Sequence, residues 1–128
     1  MEGLDISPLV PAGLQVIQSY GEGRFRIAGE THEGSVLIFA EETVSWPVTA
    51  PKDILLASFD ALTARKNKSG ILIVGCGEKF LPPPADIGQG LREHGIVMEW
   101  MDTGAACRTF NVLLGEGRDV TAALVAVP

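Results

Sequence analysis

The sequence predicts an α/β domain with a largely parallel central sheet and additional N-terminal strands. In the second half of the chain, short apolar runs alternate with amphipathic segments at the spacing of βαβ units, which place strands side by side in parallel. Of the 128 residues, 46% are hydrophobic and 20% are charged, a composition typical of one globular domain. Since no repeat or linker divides the chain, we expect a single domain over residues 1–128.

The chain is expected to begin with an extended lead-in over residues 1–20. Pro8, Pro11 and Gly13 fall within this segment, and prolines and glycines discourage regular structure. The first candidate strand is therefore placed after the lead-in.

Three candidate strands follow. Residues 24–27 alternate polar and apolar side chains, whereas residues 35–40 form an almost continuous apolar run that suits a strand buried on both faces. Residues 43–48 contain a proline, which indicates an edge strand. His32 and Glu33 are assigned to the connection between the first two strands. These strands are expected to extend the central sheet or to pack against it.

A first helix is predicted after Pro51, since the first helical turn tolerates proline. Leu55, Phe59 and Leu62 follow at spacings of four and three, which gives this helix one apolar face. Cations over residues 65–68 suit the negative end of the helix dipole, so the helix should end there.

The rest of the chain is predicted to alternate strands with helices. The elements are a strand at 71–74, a helix at 84–94, a strand at 96–101, a helix that Thr103 caps, and a strand at 120–127. The side chains expected to face the sheet are Ile87 and Leu91 on the first of these helices, and Ala106, Phe110 and Leu113 on the second.

Charge and hydropathy exclude several classes of partner. The formal net charge is −6, and phosphate binding needs a surplus of Lys and Arg, so we expect no nucleic-acid partner. No apolar run approaches the length of a membrane span, so no integral membrane segment is expected. The chain has two cysteines, which fits a reducing compartment and predicts a cytoplasmic location.

Motifs for metal binding and hydrolysis are absent from the sequence. The two histidines, His32 and His94, belong to no cluster with ligand spacing, and there is no G-x-S-x-G motif. We therefore expect no catalytic residues, no metal and no cofactor. The pattern favours a chain that is not an enzyme.

A glycine-rich motif, Gly75-Cys76-Gly77, directly follows a predicted strand. It could begin a dinucleotide-binding fingerprint, but Phe80 occupies the third glycine position, and three prolines at 82–84 separate the motif from the next helix. The two glycines are better explained as permitting a sharp exit from the sheet.

The start of the last predicted helix is a second candidate site. Its first amides would be free, Gly104 is small, and Arg108 would add positive charge, while Thr109 and Asn111 could supply polar contacts. Two interpretations stay open. Thr103 and its neighbours form either an anion-binding pocket or a helix cap whose small residues let helix and sheet approach closely.

The two cysteines raise a redox hypothesis. Cys76 and Cys107 follow the carboxyl ends of neighbouring predicted strands, and Arg108 beside Cys107 could lower its thiol pKa. Against this, free cysteine is among the most buried residue types. Reactive and structural roles both remain open.

Four segments of the sequence resemble a known family. They are YGEGRFRIAG at 20–29, GSVLIF at 34–39 together with Trp46, ILIVGCG at 71–77, and the long segment at 95–127 that contains ACRTFNVLL. Together they resemble a family of domains of unknown function, of the Mth type, which includes mitochondrial respiratory complex I assembly factor 3. The resemblance implies a three-layer β/α fold with a mixed central sheet and no established catalytic residues.

The resemblance also implies a function. One branch of the family assembles respiratory complex I, so the leading hypothesis is a non-enzymatic binding or assembly protein whose partners are respiratory-chain subunits or assembly factors. The candidate partner or ligand pocket consists of Gly75, Cys76, Gly77, Thr103, Gly104, Arg108, Thr109 and Asn111. The alternative is an enzyme or small-ligand binder that uses an anion-binding pocket at the Thr103–Asn111 helix start. The oligomeric state stays open.

Overall fold

A mixed five-stranded sheet forms the centre of the fold in the computed structural model, which describes residues 4–5 and 13–128. In spatial order its strands are β6 (Thr43–Ser45), β5 (Val36–Ile38), β9 (Val120–Leu124), β7 (Ile71–Gly75) and β8 (Val97–Met101). Strands β9, β7 and β8 are parallel neighbours, whereas β5 pairs antiparallel with both β9 and β6. The predicted mixed sheet, parallel over three of its five strands, is confirmed.

A second, antiparallel sheet precedes the central one. Its strands in order are β1 (Leu4–Asp5), β2 (Ile17–Gly21), β3 (Arg24–Ile27) and β4 (Glu30–Glu33). Two sequence predictions are wrong here. The end of the supposed lead-in forms β2, because Ile17 and Tyr20 pair with β3. His32 and Glu33 lie in β4 because they pair with the other edge of β3. Residues 1–3 and 6–12 of the lead-in lie outside the described residues.

Three α-helices connect the later strands: α1 (Asp60–Thr63), α2 (Ala85–Arg92) and α3 (Thr103–Gly115). The first predicted helix is mostly two 3₁₀ turns, Pro51–Asp53 and Leu56–Phe59, which precede the single turn of α1. Phe59 and Leu62 are buried as predicted, but Leu55 is 63% exposed. The Ser58 hydroxyl accepts from Leu55 N at 3.0 Å, and this local bond stabilises a turn in place of a continuous helix.

The central sheet is the middle of three layers. Its residues alternate between two apolar clusters, so that Ile73 faces one side while Leu72 and Val74 face the other. The first side packs against α3 and the antiparallel sheet, and the second packs against α1, α2 and the 3₁₀ turns. This arrangement confirms the three-layer fold.

The start and inner face of α3 differ in detail from the prediction. Asp102, and not Thr103, is the cap, because its carboxylate accepts from Ala105 N at 2.9 Å. Ala106 and Phe110 are buried as predicted. The last turn buries Leu114, while the neighbouring Leu113 is only half-buried.

Candidate functional site

The end of β7 meets the first turn of α3 at Gly75. A Cβ atom placed on Gly75 would lie 2.8 Å from Thr103 Cα and 3.0 Å from Thr103 Oγ1. Real side chains do not approach backbone atoms this closely, so only glycine lets the helix reach the sheet here. The geometry therefore agrees with the interpretation that small residues permit close packing.

Thr103 ties the start of α3 to the two neighbouring loops. Its side chain is fully buried, and its hydroxyl donates to Val125 O at 2.8 Å and accepts from Gly77 N at 3.0 Å. In return, Thr103 N donates to Gly77 O at 2.9 Å. Gly77 has a φ of +128°, which favours glycine. The structure thus brings Gly75, Gly77 and Thr103 together, with Cys76 between the glycines, and pairs their polar groups with the chain itself.

Tyr20 of β2 covers the remaining part of the helix start. A Cβ atom on Gly104 would lie 2.8 Å from Tyr20 Oη, and Arg108 Nη1 donates to the same oxygen at 3.1 Å. The Asp102 carboxylate already accepts from Ala105 N. The groups that a bound anion would use therefore contact the chain's own carboxylate and phenol, and these contacts do not support an anion pocket. Partner or ligand binding by these residues stays a prediction.

Thr109 and Asn111 contact different neighbours. Thr109 Oγ1 donates to Met101 Sδ of β8 at 3.4 Å. Asn111 is buried, and its amide binds both backbone groups of Ile17 in β2. The two side chains therefore hold α3 to two different strands.

Both cysteines are free and fully buried. Burial raises the pKa of the Cys107 thiol well above its ordinary value; the nearby Arg108 guanidinium lowers it by a smaller amount, and the Asp102 carboxylate raises it further. The expectation of a lowered pKa is wrong, because loss of water outweighs the neighbouring cation. Cys76 Sγ lies 3.5 Å from Lys79 O. This environment favours the structural role for the cysteines.

An exposed apolar segment, the apolar ridge, spans residues 80–84 beside edge strand β8. Phe80 and Leu81 are 55% and 51% exposed. Trp100 Nε1 donates to Leu81 O at 2.6 Å, which fixes the ridge against the sheet. A groove of about 140 Å³ runs along it, lined by Pro51, Lys52, Leu81, Pro82, Pro84 and Trp100. Sequence reasoning used the prolines only as a helix break and missed this surface.

A larger pocket, the acidic pocket, lies at the end of the central sheet where β5 ends and β7 and β9 begin. Its volume is about 310 Å³. Its lining residues are Phe39, Ala40, Glu41, Glu42, Leu62, Arg65, Asn67, Ser69, Asp119 and Thr121. These residues come from three separate segments of the chain, so no local sequence pattern indicates the pocket.

The part of the chain that the structure describes contains no group of three or more His, Cys, Asp or Glu residues that could hold a metal ion. None of its helices is long and apolar enough to cross a membrane.

Comparison with known proteins identifies the family. Residues 17–125 match a family of proteins of unknown function, DUF498/DUF598. The chain belongs to the DUF498/DUF598 family. This membership confirms the resemblance seen in the sequence. The assembly factors named in that resemblance are also among the relatives of this chain.

Two relatives of this DUF498/DUF598 chain come from distant organisms. It is 38% identical over 120 residues to an uncharacterised protein of Rhodobacter capsulatus, covering 91% of this chain and 89% of the relative. It is 35% identical over 112 residues to NADH dehydrogenase (ubiquinone) 1 alpha subcomplex assembly factor 3 of Mus musculus, covering 88% of this chain. The chain spans 60% of the length of that assembly factor.

A solved structure shares the fold. The crystal structure described as an outer membrane protein from Bartonella henselae superposes with a TM-score of 0.83 at 34% identity, covering 91% of this chain and 98% of that one.

Proposed function

We propose that this chain is a non-enzymatic binding or assembly protein whose partners are subunits of respiratory NADH dehydrogenase or its other assembly factors. The similarity to assembly factor 3 carries this proposal, because it extends over 88% of the chain. The region that matches the assembly factor is the domain described above. If the two proteins share a role, we expect a surface of this domain to bind the partner.

The apolar ridge is the surface that best suits protein docking. Large apolar side chains that protrude together commonly mark sites of protein–protein contact. Phe80 and Leu81 are both more than half exposed, and the hydrogen bond from Trp100 holds their backbone in place. A surface that is already ordered loses little conformational entropy when a partner binds.

The charge and the thiols support a protein partner in a reducing compartment. The net charge of −6 disfavours a nucleic-acid partner. Cys76 and Cys107 are free and buried, which suits a compartment that keeps thiols reduced. We place the chain in the cytoplasm on this basis.

Affinity capture from the source organism tests this function. Three tagged proteins would be compared. They are the wild type, a ridge variant that carries both Phe80→Ser and Leu81→Ser, and the control Val112→Ser. Val112 is 58% exposed and lies outside the ridge. We expect NADH dehydrogenase subunits or assembly factors to be enriched with the wild type and with Val112→Ser, and to be lost with the ridge variant.

One result would count against the assembly function, and another would count against the ridge as its docking surface. Capture that yields no NADH dehydrogenase subunit or assembly factor would remove the assembly function. Equal recovery with all three proteins would leave the function standing but would place docking away from the ridge. A circular dichroism melt of each variant verifies that it is folded.

A further inference from the structure

The lining of the acidic pocket carries three carboxylates and one guanidinium. Arg65 Nη2 lies 3.0 Å from Glu42 Oε2, and Arg65 Cζ lies 3.3 Å from the centre of the Phe39 ring. Arg65 is therefore neutralised by one carboxylate and fixed over an aromatic face. Across residues 13–128, neither Glu41 nor Asp119 makes an ion pair. The pocket consequently keeps an excess of negative charge.

Thr121 supplies the second observation, a polar side chain without a partner among the described residues. It lines the pocket and is only 2% exposed, and the described part of the chain offers its hydroxyl no hydrogen bond. Ser69, which is also buried in this lining, differs because its hydroxyl contacts Asp119 O at 2.7 Å and Ile71 O at 2.9 Å. Because Thr121 lines the pocket and none of the described residues bonds its hydroxyl, that oxygen is available to accept a hydrogen bond from a group bound there.

The size and walls of the pocket suit one long side chain. Its volume of about 310 Å³ is at the small end of ligand pockets, which range over about 300–1,000 Å³. Phe39 and Leu62 provide apolar walls. Lysine and arginine pack their alkyl stems on apolar surface while their charged ends reach polar groups.

We infer that the acidic pocket binds the cationic side chain, lysine or arginine, of a partner polypeptide. The stem packs against Phe39 and Leu62, and the charged end donates to Thr121 Oγ1 and lies near the carboxylates of Glu41 and Asp119. This inference rests on the proposed function, because it names the chemistry by which a protein partner is recognised. The pocket lies at the amino ends of the parallel strands, whereas α3 starts at their carboxyl ends.

Nitrogen-15 NMR titration of the full chain tests the inference with three probes. The first is the tripeptide acetyl-Ala-Lys-Ala-amide, the second is its analogue with norleucine in place of lysine, and the third is putrescine, a free diamine. We expect the lysine peptide to shift the amides of residues 39–42 and 119–121 with a saturable curve. The norleucine peptide should not, because it has the stem without the charge. Raising the salt concentration should weaken the binding.

Three variants separate the pocket from general surface charge. Asp119→Asn and Thr121→Val should each weaken lysine-peptide binding by about 2- to 5-fold, the effect of one solvent-screened contact. Glu116→Gln removes an exposed carboxylate that does not line the pocket, so it should leave binding unchanged. Thr121→Val should fold at least as stably as the wild type, because it removes an unpartnered hydroxyl.

The inference is overturned by any of three results: shifts that do not saturate, equal shifts with the norleucine peptide, or binding that Asp119→Asn and Thr121→Val leave unchanged. Saturable binding of putrescine without the lysine peptide would assign the pocket to free amines and would also overturn it. Failure here is distinct from failure of the proposed function. If captured NADH dehydrogenase subunits bind Asp119→Asn as well as the wild type, the assembly function stands and the pocket inference falls.

Discussion

Asn111 of α3 binds both backbone groups of Ile17 in β2. Ile17 N donates to Asn111 Oδ1 at 2.9 Å, and Asn111 Nδ2 donates to Ile17 O at 2.8 Å. Both residues are buried, and they lie 94 positions apart in the chain. The pair therefore fixes the antiparallel sheet to α3, and it accounts for an asparagine on the inner face of this helix.

Asn111→Ala should lower the free energy of unfolding by about 2–4 kcal/mol, because it leaves two buried backbone groups of Ile17 without partners. Urea unfolding followed by circular dichroism measures the change. Val112→Ala is the matched control on the neighbouring, exposed position, and it should alter stability by no more than about 0.5 kcal/mol. Similar small losses for both variants would show that the Asn111–Ile17 pair contributes little.

Gly75→Ala should lower the free energy of unfolding by about 1–3 kcal/mol, the usual effect of overpacking. The added methyl would lie 2.8 Å from the backbone of Thr103, and neither β7 nor α3 can move away without disturbing the core. Gly70→Ala is the control, since a Cβ atom there has its nearest neighbour at 4.0 Å. Thermal melts of the two variants should differ clearly, and matching melts would contradict the close approach of α3 to β7.

Arg108→Ala should leave the fold almost unchanged, with a loss of no more than about 1 kcal/mol, because Arg108 is exposed and its side chain donates to the Tyr20 hydroxyl at the surface. Comparison of this variant with the wild type also tests the anion-binding alternative. We expect inorganic phosphate to cause no saturable NMR shifts at residues 103–109 in the wild type. Saturable shifts that disappear in Arg108→Ala would instead support an anion site at the helix start.

The raised pKa of Cys107 predicts a loss of stability at alkaline pH. The unfolded thiol releases its proton above a pKa of about 8.5, whereas the folded thiol keeps its proton to higher pH. The unfolded state then binds fewer protons, so the free energy of unfolding falls as pH rises, by up to about 1.4 kcal/mol per pH unit. The contribution is fully present below about pH 8.5.

Urea unfolding between pH 7.5 and 10 measures this effect. The free energy of unfolding is plotted against pH for the wild type and for Cys107→Ala, and the slopes of the two plots are compared. Other groups titrate equally in both proteins. The packing lost with the sulfur lowers the free energy of unfolding by the same amount at every pH, so it does not change the slope. A wild-type curve parallel to that of Cys107→Ala would show that the thiol is not held protonated.

Thiol accessibility gives an independent prediction. Cys76 and Cys107 are both fully buried, so neither should react with a disulfide reagent such as DTNB in the native protein at pH 8, whereas both should react in denaturant. Rapid reaction of a native thiol would revive the redox hypothesis.

From residue 71 onward, the sequence by itself determined much of the fold. The apolar runs that form β7, β8 and β9, and the apolar spacing on α2 and α3, are local patterns that packing against a sheet requires. The approach of Gly75 to Thr103 was also accessible to sequence reasoning, because parallel strands end at the same edge of a sheet.

Only the tertiary structure decided the rest. Strand β4 has the sequence ETHE, with no apolar face, and it is a strand because β3 offers it an edge. The contact of Tyr20 with Gly104, the pairing of Asn111 with Ile17 and the assembly of the acidic pocket all join segments distant in the chain. Local preferences act over a few residues, whereas these contacts form only after the layers have packed, so no short stretch of sequence encodes them.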